Sequence, residues 1–312
     1  MDVKTDRPVK SPGKSRGRKV YRWILFAATL GAVTWFIWMN SGRLGGFASR
    51  IKTWAVLLSL LSVMAGYLAR FAAWTRLAAL FGLHAPALKA GRAYFLSILG
   101  RYVPGKLGLA LIRIEAYRPH PAERVALATG TELFTALSAA LILMLGGIAS
   151  APGFFPAWLK WAAPAGIAVT LGLLSPPVLH RLAGLIFRMT GREQPGRLPG
   201  YRQMLGLTAL YIIPGLLQGI GLYVLLLSLG PLPPGSYLAV TGAYYTAGLA
   251  GMLAVFAPGG LGVREGILML VLPLIVPGES AIIAALLLRL VMIGAELSLA
   301  GIFGVLAARR AK

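Results

Sequence analysis

The chain has no cysteine and few acidic residues. Its 312 residues include nine Asp and Glu, three His and no Cys. The lack of cysteine excludes disulfides, thiolate zinc sites and cysteine nucleophiles. The only aspartates are Asp2 and Asp6, so a Ser/His/Asp catalytic arrangement cannot be assembled in the apolar part of the chain. The sequence therefore favours a protein that is not an enzyme and that uses no metal or other cofactor.

Basic residues, by contrast, are abundant. The chain has 31 Lys and Arg, a formal charge of +22, and 57% hydrophobic residues. A nucleic-acid-binding protein gathers its basic residues on a soluble fold, whereas here they flank or interrupt apolar segments. We therefore expect no nucleic-acid partner. Anionic lipid head groups are the expected counter-charge.

Several apolar runs are long enough to cross a bilayer, which takes about 20 residues of helix. The sequence predicts an all-α transmembrane bundle of about eight crossings. Residues 1–20 are predicted to form a disordered basic tail, and residues 21–312 a single transmembrane domain. The predicted continuous spans are residues 22–39, 54–81, 124–149, 161–187, 205–229, 236–257 and 280–307. Two stretches that carry Pro and Gly, 93–112 and 258–277, are predicted to be broken or re-entrant.

The distribution of Lys and Arg predicts the orientation. Alternate loops and the two ends carry 25 of these residues, whereas the intervening loops carry four. Because basic loops stay in the cytoplasm, both termini are predicted to be cytoplasmic in a bacterial or archaeal inner membrane. The basic C-terminus then requires one more crossing. We favour a crossing by the broken stretch 258–277, and the alternative is a re-entrant last segment.

The two broken stretches share a motif. Pro104–Gly108 (PGKLG) matches Pro258–Gly262 (PGGLG) at four of five positions. An Arg and a Glu follow each motif, namely Arg113 and Glu115, and Arg264 and Glu265. Paired Gly/Pro-interrupted segments in two halves of a membrane protein indicate a transporter's binding site. We interpret the pair as an internal repeat, and the sequence leaves open whether it is inverted.

The first motif partly resembles a nucleotide-binding loop. Residues 100–106 fit the pattern G-x-x-x-x-G-K, but Leu107 stands where a Ser or Thr is needed to hold Mg²⁺. ATP hydrolysis is therefore not expected. Two interpretations of Arg101 and Lys106 stay open. They could assist open backbone N–H groups in holding a phosphate, or they could reach the interface beside a structural helix break.

Glu132, Arg289 and Glu296 lie well inside predicted spans. A charge at this depth should face a partner or a cavity. Arg289 and Glu296 are seven residues apart, a rise of about 10 Å, so each is expected to have another partner. Glu132, Glu265 and the basic Pro-Gly segment are the candidates. An ion-pair network that holds the bundle together and a substrate or proton path both remain open.

The two motif regions resemble the lysylphosphatidylglycerol synthase transmembrane (flippase-like) family, in its stand-alone form without an aminoacyl-transferase domain. The stretches that carry the resemblance are 97–106 (SILGRYVPGK) and 258–266 (PGGLGVREG). The resemblance implies a membrane domain that moves lipids between leaflets, or works in polyprenyl-linked sugar, glycolipid or hopanoid pathways. The positions that it implicates are Arg101, Pro104, Gly105, Lys106, Gly259, Gly260, Gly262, Arg264 and Glu265.

The sequence thus predicts a translocator of an anionic or phosphate-bearing lipid, energised without ATP. The alternative is a membrane enzyme or accessory protein that acts on polyprenyl-linked sugars or glycolipids. A homo-oligomer or a neighbouring lipid-modifying enzyme remains open. Residues predicted to bind the lipid head group are Arg101, Lys106, Arg113, Gly259, Gly260, Arg264 and Arg289. Glu132, Glu265 and Glu296 are predicted to balance charge or carry a proton. Tyr244, Tyr245 and Gln218 could line a cavity, but we favour interfacial or packing roles for them.

Overall fold

A computed structural model describes residues 50–100, 108–151, 157–175, 199–254 and 257–310, together with a few single positions. The predicted tail 1–20, most of the predicted span 22–39, and the predicted head-group residues Arg101 and Lys106 lie outside the described residues. Within these ranges the chain is all helical, and no described residue lies in a β-strand. The all-α fold class predicted from the sequence is confirmed.

Nine α-helices make up the described bundle, and we number them α1 to α9. Two 3-10 turns, Pro258–Gly260 and Leu272–Leu274, flank α8. The α-helices are α1 Thr53–Leu80, α2 Ala87–Leu99, α3 Gly108–Ala116, α4 Ala122–Ala149, α5 Ala157–Leu173, α6 Tyr201–Leu229, α7 Tyr237–Leu253, α8 Val263–Val271 and α9 Gly278–Arg309. Four of them, α1, α4, α6 and α9, are long and apolar enough to cross a membrane alone.

Most predicted spans agree with helices to within a few residues, but the span 161–187 is wrong. The corresponding helix, α5, ends at Leu173 and is followed by a turn at Leu174. Two prolines, Pro176 and Pro177, follow Ser175 directly. A residue before proline is disfavoured in the α conformation, so the helix stops before the pair although the sequence stays apolar.

The first broken stretch forms a helical hairpin. Helices α2 and α3 run antiparallel, since Nε of Arg113 on α3 donates to the hydroxyl of Ser97 on α2 at 3.1 Å. The open end of the hairpin lies beside the C-terminal end of α1, because the backbone N–H of His84 donates to Nε2 of His120 at 3.3 Å. The first Pro-Gly motif begins at Pro104, and all of it but Gly108 lies outside the described residues.

The second broken stretch forms another hairpin, made by α7 and α8. Gly251 of α7 lies against Gly260 in the connection, and a methyl group built on Gly260 would lie 3.1 Å from Cα of Gly251. The far end of α8 has returned to the start of α7, where Ala239 and Val271 line the same small crevice. The stretch 258–277 therefore turns back along α7 before α9 begins.

The two hairpins open toward opposite ends of α1. Helix α9 begins beside the N-terminal end of α1, where Arg50 pairs with Glu279 at 2.6 Å. The α7–α8 hairpin leads directly into α9, so its open end lies on that side, whereas the α2–α3 hairpin opens beside the C-terminal end of α1. The repeat that the sequence indicated is therefore arranged as an inverted pair of broken segments.

Glycines set the closest helix contacts. Gly147 of α4 and Gly242 of α7 pack backbone to backbone, and a methyl group on Gly147 would meet the Leu238 carbonyl oxygen at 2.6 Å. On the other side of the bundle, a methyl group on Gly221 of α6 would lie 2.8 Å from Val63 of α1. Small residues at helix crossings allow backbones to approach in an apolar medium, where close packing replaces the hydrophobic effect.

Candidate functional site

A cavity of about 650 Å³ lies between the hairpins and helices α1, α4 and α6. Both hairpins contribute to its wall, through Leu109 and Arg113 of the first and Gly259 and Gly260 of the second. Most of the remaining wall is apolar. The polar and charged side chains that line it are Tyr67, Arg70, Tyr94, Arg113, Thr129, Glu132, Tyr211, Gln218, Tyr244, Tyr245 and Arg264.

Arg113 is held rigidly at one side of the cavity. It is 1% exposed and forms an ion pair with Glu132, which also accepts a hydrogen bond from the hydroxyl of Tyr94 at 3.2 Å. Its guanidinium lies 4.0 Å from the ring centre of Trp74 and 4.8 Å from that of Tyr94. Ion pairing and two cation–π contacts together allow a charge to stay inside an apolar bundle.

Arg264 reaches the cavity from the second hairpin, and its side chain passes over Gly251, which has no side chain to block it. A methyl group on Gly251 would overlap Cγ of Arg264 and would lie 3.0 Å from its Cδ. The guanidinium lies 5.4 Å from the ring centre of Tyr244. Both Tyr244 and Tyr245 donate hydrogen bonds to the side-chain oxygen of Gln218, at 3.1 and 3.4 Å. These residues, interpreted from the sequence as packing residues, lie on the cavity wall.

Arg70 and Tyr211 form a different part of the wall. Arg70 makes no hydrogen bond or ion pair with any residue that the structure describes. It interacts at longer range with Glu132 and with the hydroxyls of Tyr94, Tyr211 and Tyr245. The side chain of Tyr211 is 4% exposed, and its hydroxyl has no hydrogen-bond partner among the described residues.

The two other membrane-depth charges predicted from the sequence lie off the cavity wall. Arg289 pairs with Glu265, with 3.5 Å between Nε and Oε1, and its Nη2 donates to the carbonyl of Gly259 at 3.2 Å. Glu265 also accepts a hydrogen bond from the backbone N–H of Gly262 at 2.6 Å. The residues therefore fix the connection of the second hairpin to α9, and neither is among those that line the cavity.

Glu296 likewise has a partner on another helix. It accepts a hydrogen bond from the hydroxyl of Tyr67, which itself lines the cavity. Arg289 and Glu296 thus have separate partners on different elements, as the spacing of about 10 Å along the helix predicts. Of the predicted residues, the cavity brings together Arg113, Glu132, Gly259, Gly260 and Arg264.

Arg70 is the functional residue that sequence reasoning missed. Its position near the end of a predicted span places it among the basic residues of the following loop, and the loop count treats it so. In the structure it lies inside α1, ten residues before the helix ends, and lines the cavity. The signal in the sequence is that the predicted span continues for about ten mostly apolar residues after this Arg. An Arg in a loop is not followed by such a stretch of the same span.

The cavity carries more positive than negative charge. Among the described residues, three arginines and one glutamate line it, so their positive charges exceed the negative by two. Positive charge in a partly enclosed cavity attracts an anion more strongly than the same charge in open water, because the surrounding protein is less polar than water. Fold and cavity together describe a polytopic α-helical membrane protein with an arginine-lined internal cavity between two inverted hairpins.

Residues 22–298 match the model of the family described as lysylphosphatidylglycerol synthase TM region, so the chain belongs to that family. This match confirms the resemblance seen in the two Pro-Gly motifs. No curated protein matches the chain. Family membership fits a membrane protein concerned with lipids.

Proposed function

We propose that the protein moves a lipid with an anionic, phosphate-bearing head group between the leaflets of the membrane. One observation carries the proposal: a cavity of about 650 Å³ inside the bundle has an excess of arginine and contacts both inverted hairpins. A head group in transit must leave water, so its charge needs a counter-charge along the path. Arg70, Arg113 and Arg264 supply that counter-charge.

The apolar part of the wall and its rim suit the rest of a lipid. Leu133 of α4 and Met252 of α7 line the cavity and are 48% and 40% exposed. Their helices touch at Gly147, which follows Leu133 on α4, and at Gly242, which precedes Met252 on α7. The exposed rim supports a lateral opening between α4 and α7, through which acyl chains stay in the bilayer while the head group enters.

The inverted hairpins support movement in both directions. Described residues of both hairpins line the cavity, and the open ends of the hairpins lie toward opposite ends of α1. Each hairpin could therefore gate access from one side. This is the arrangement that alternating access uses around a fixed binding site. By the charge rule, the side of the C-terminal end of α1 is the cytoplasmic one.

We propose that the protein transports a lipid and does not catalyse the making or breaking of bonds. We also propose that ATP does not supply the energy. The one carboxylate on the described cavity wall, Glu132, is committed to Arg113 and Tyr94, which leaves it poorly placed as a general acid or base. The driving force would be an ion gradient or consumption of the lipid on the receiving side. The alternative of an enzyme acting on lipid-linked sugars has no specific support in the cavity.

Purified protein in proteoliposomes provides the test. Fluorescent phosphatidylglycerol and phosphatidylcholine are placed in both leaflets, and a membrane-impermeant quencher reports how much label reaches the outer one over time. We expect phosphatidylglycerol to cross faster than in protein-free vesicles, and Arg264→Gln to slow that crossing about tenfold, because each charge-assisted contact is worth roughly 1.5 kcal/mol or more. Arg309→Gln, at an exposed helix end, is the matched control.

Equal rates with and without protein, for every anionic lipid tested, would contradict the proposal. Product formed from a polyprenyl-phosphate sugar in the same vesicles would instead favour the enzyme alternative.

A further inference from the structure

Tyr211 and Arg70 are the two polar groups on the cavity wall that the protein itself leaves without a hydrogen-bond partner among its described residues. Tyr211 lies on α6 and Arg70 on α1, two helices that pack closely. A buried hydroxyl without a partner is costly, and natural proteins rarely keep one without a role. A hydroxyl and a guanidinium are both donors, so the group that fits them is an acceptor with negative charge.

The glutamates at and near the cavity, in contrast, already have partners within the protein. Glu132 is paired with Arg113, and Glu265 is paired with Arg289 away from the cavity. Glu296 accepts a hydrogen bond from Tyr67 and does not line the cavity. Among the described residues of the wall, none therefore offers a carboxylate to a positively charged group. An ammonium in this cavity would face three arginines instead.

On the basis of the proposed function, we propose that Arg70 and Tyr211 form the subsite for the lipid's phosphate, and that the cavity selects head groups of net negative charge and rejects those that carry an ammonium. The guanidinium of Arg70 pairs with the phosphate, and the Tyr211 hydroxyl donates to a second phosphate oxygen. Arg264 lines the same cavity from the second hairpin and would meet another polar group of the same head group. An aminoacylated phospholipid is excluded by its added positive charge.

The Tyr211→Phe variant tests the subsite with little expected effect on stability. The hydroxyl has no partner to lose among the described residues, so its removal should leave the melting temperature unchanged or raise it. Tyr223→Phe on the same helix is the matched control, because Tyr223 packs against Tyr237 and does not line the cavity. Arg70→Gln tests the charge, with the exposed Arg76→Gln on the same helix as its control.

Binding is measured in nanodiscs of phosphatidylcholine that contain phosphatidylglycerol, its lysyl ester, or neither, and lipid crossing is measured with the same proteins. We expect the wild type to bind phosphatidylglycerol roughly tenfold or more tightly than the lysyl ester. Tyr211→Phe and Arg70→Gln should each weaken phosphatidylglycerol binding by a similar factor, since each removes a hydrogen bond to a charged group. Both controls should bind as the wild type does.

Other outcomes separate this inference from the function on which it rests. If phosphatidylglycerol crosses but Tyr211→Phe binds it like the wild type, the subsite is overturned and the transport proposal stands. Binding of the lysyl ester as tight as that of phosphatidylglycerol overturns the selectivity. If inorganic phosphate raises the melting temperature of the protein as much as phosphatidylglycerol does, the subsite binds a free anion and the lipid assignment is overturned.

Discussion

At the scale of single residues, the same side-chain type serves different purposes according to its partners. Arg113 and Arg289 are both buried and paired with a carboxylate. Arg70 and Arg264 line the cavity, and the guanidinium of Arg264 lies over the ring of Tyr244.

 Arg113 and Arg289 join neighbouring helices through their ion pairs, whereas Arg70 and Arg264 are the residues that we propose to meet the lipid head group.

The first prediction concerns the glycine path of Arg264. Gly251→Ala should displace the Arg264 side chain, because the added methyl group would overlap its Cγ. We expect lipid crossing to slow by about tenfold and stability to fall by about 1–3 kcal/mol, the usual cost of overpacking. The proteoliposome assay and thermal unfolding in detergent measure the two effects.

Gly248→Ala is the matched control for this change. A methyl group there would lie 3.6 Å from Nη2 of Arg264, an ordinary van der Waals distance. If lipid crossing is equally slow in both variants, the substitutions disturb helix α7 in general and not the position of the Arg264 side chain.

At the scale of elements, the packing of α4 against α7 closes one end of the cavity. The contact depends on a pair of glycines, Gly147 and Gly242, whose backbones touch. Beyond this crossing both helices line the cavity, through Leu137 on α4 and Leu249 on α7. The crossing therefore sets how far apart the two helices stand where the lipid is proposed to enter.

The second prediction tests this crossing with two neighbouring glycines. Gly147→Ala should lower stability by about 1–3 kcal/mol or more, because the methyl group would meet backbone atoms that cannot rotate away. Gly146→Ala should be neutral or slightly stabilising, since nothing lies within 4 Å and alanine favours helix by about 1 kcal/mol over glycine. Melting temperatures of the two variants provide the comparison, and a similar fall in both would contradict the proposed crossing.

At the scale of the whole molecule, the chain is arranged about two inverted hairpins and one central helix. Helix α9 is the most enclosed of the four long helices, with 72% of its most apolar window buried inside the bundle. It contacts the first hairpin where Gly91 meets Phe303, and the second hairpin where Arg289 meets Glu265. Helix α9 thereby links the two hairpins that reach the cavity from opposite sides.

The third prediction tests this inverted arrangement. The chain has no cysteine, so single cysteines placed at Glu279 and at His120 report on their own positions. In right-side-out membrane vesicles, an impermeant thiol reagent should label the Glu279→Cys variant, whereas the His120→Cys variant should need permeabilised membranes. Labelling of both positions from the same side would sink the inverted topology.

Much of the architecture follows from the sequence, because the cost of placing polar backbone and charge in lipid is a local property of each segment. Helices such as Thr53–Leu80 and Gly278–Arg309 were predicted to within a few residues. The break at Pro258–Gly260 was predicted from its prolines and glycines, which mark where a helix cannot continue. The predicted span runs past the end of α5 at Leu173, because the sequence stays apolar there although a Pro-Pro pair follows.

The sequence by itself determined that the chain is a membrane bundle of one family with two broken segments. Only the tertiary structure decided that these segments are inverted, that Arg289 and Glu296 have separate partners, and that Arg70 and Tyr211 share a cavity. The physical reason is the distance along the chain over which each effect acts. Hydropathy and helix breaking act along a few neighbouring residues, whereas the partner of a buried charge is chosen by helices far apart in the chain.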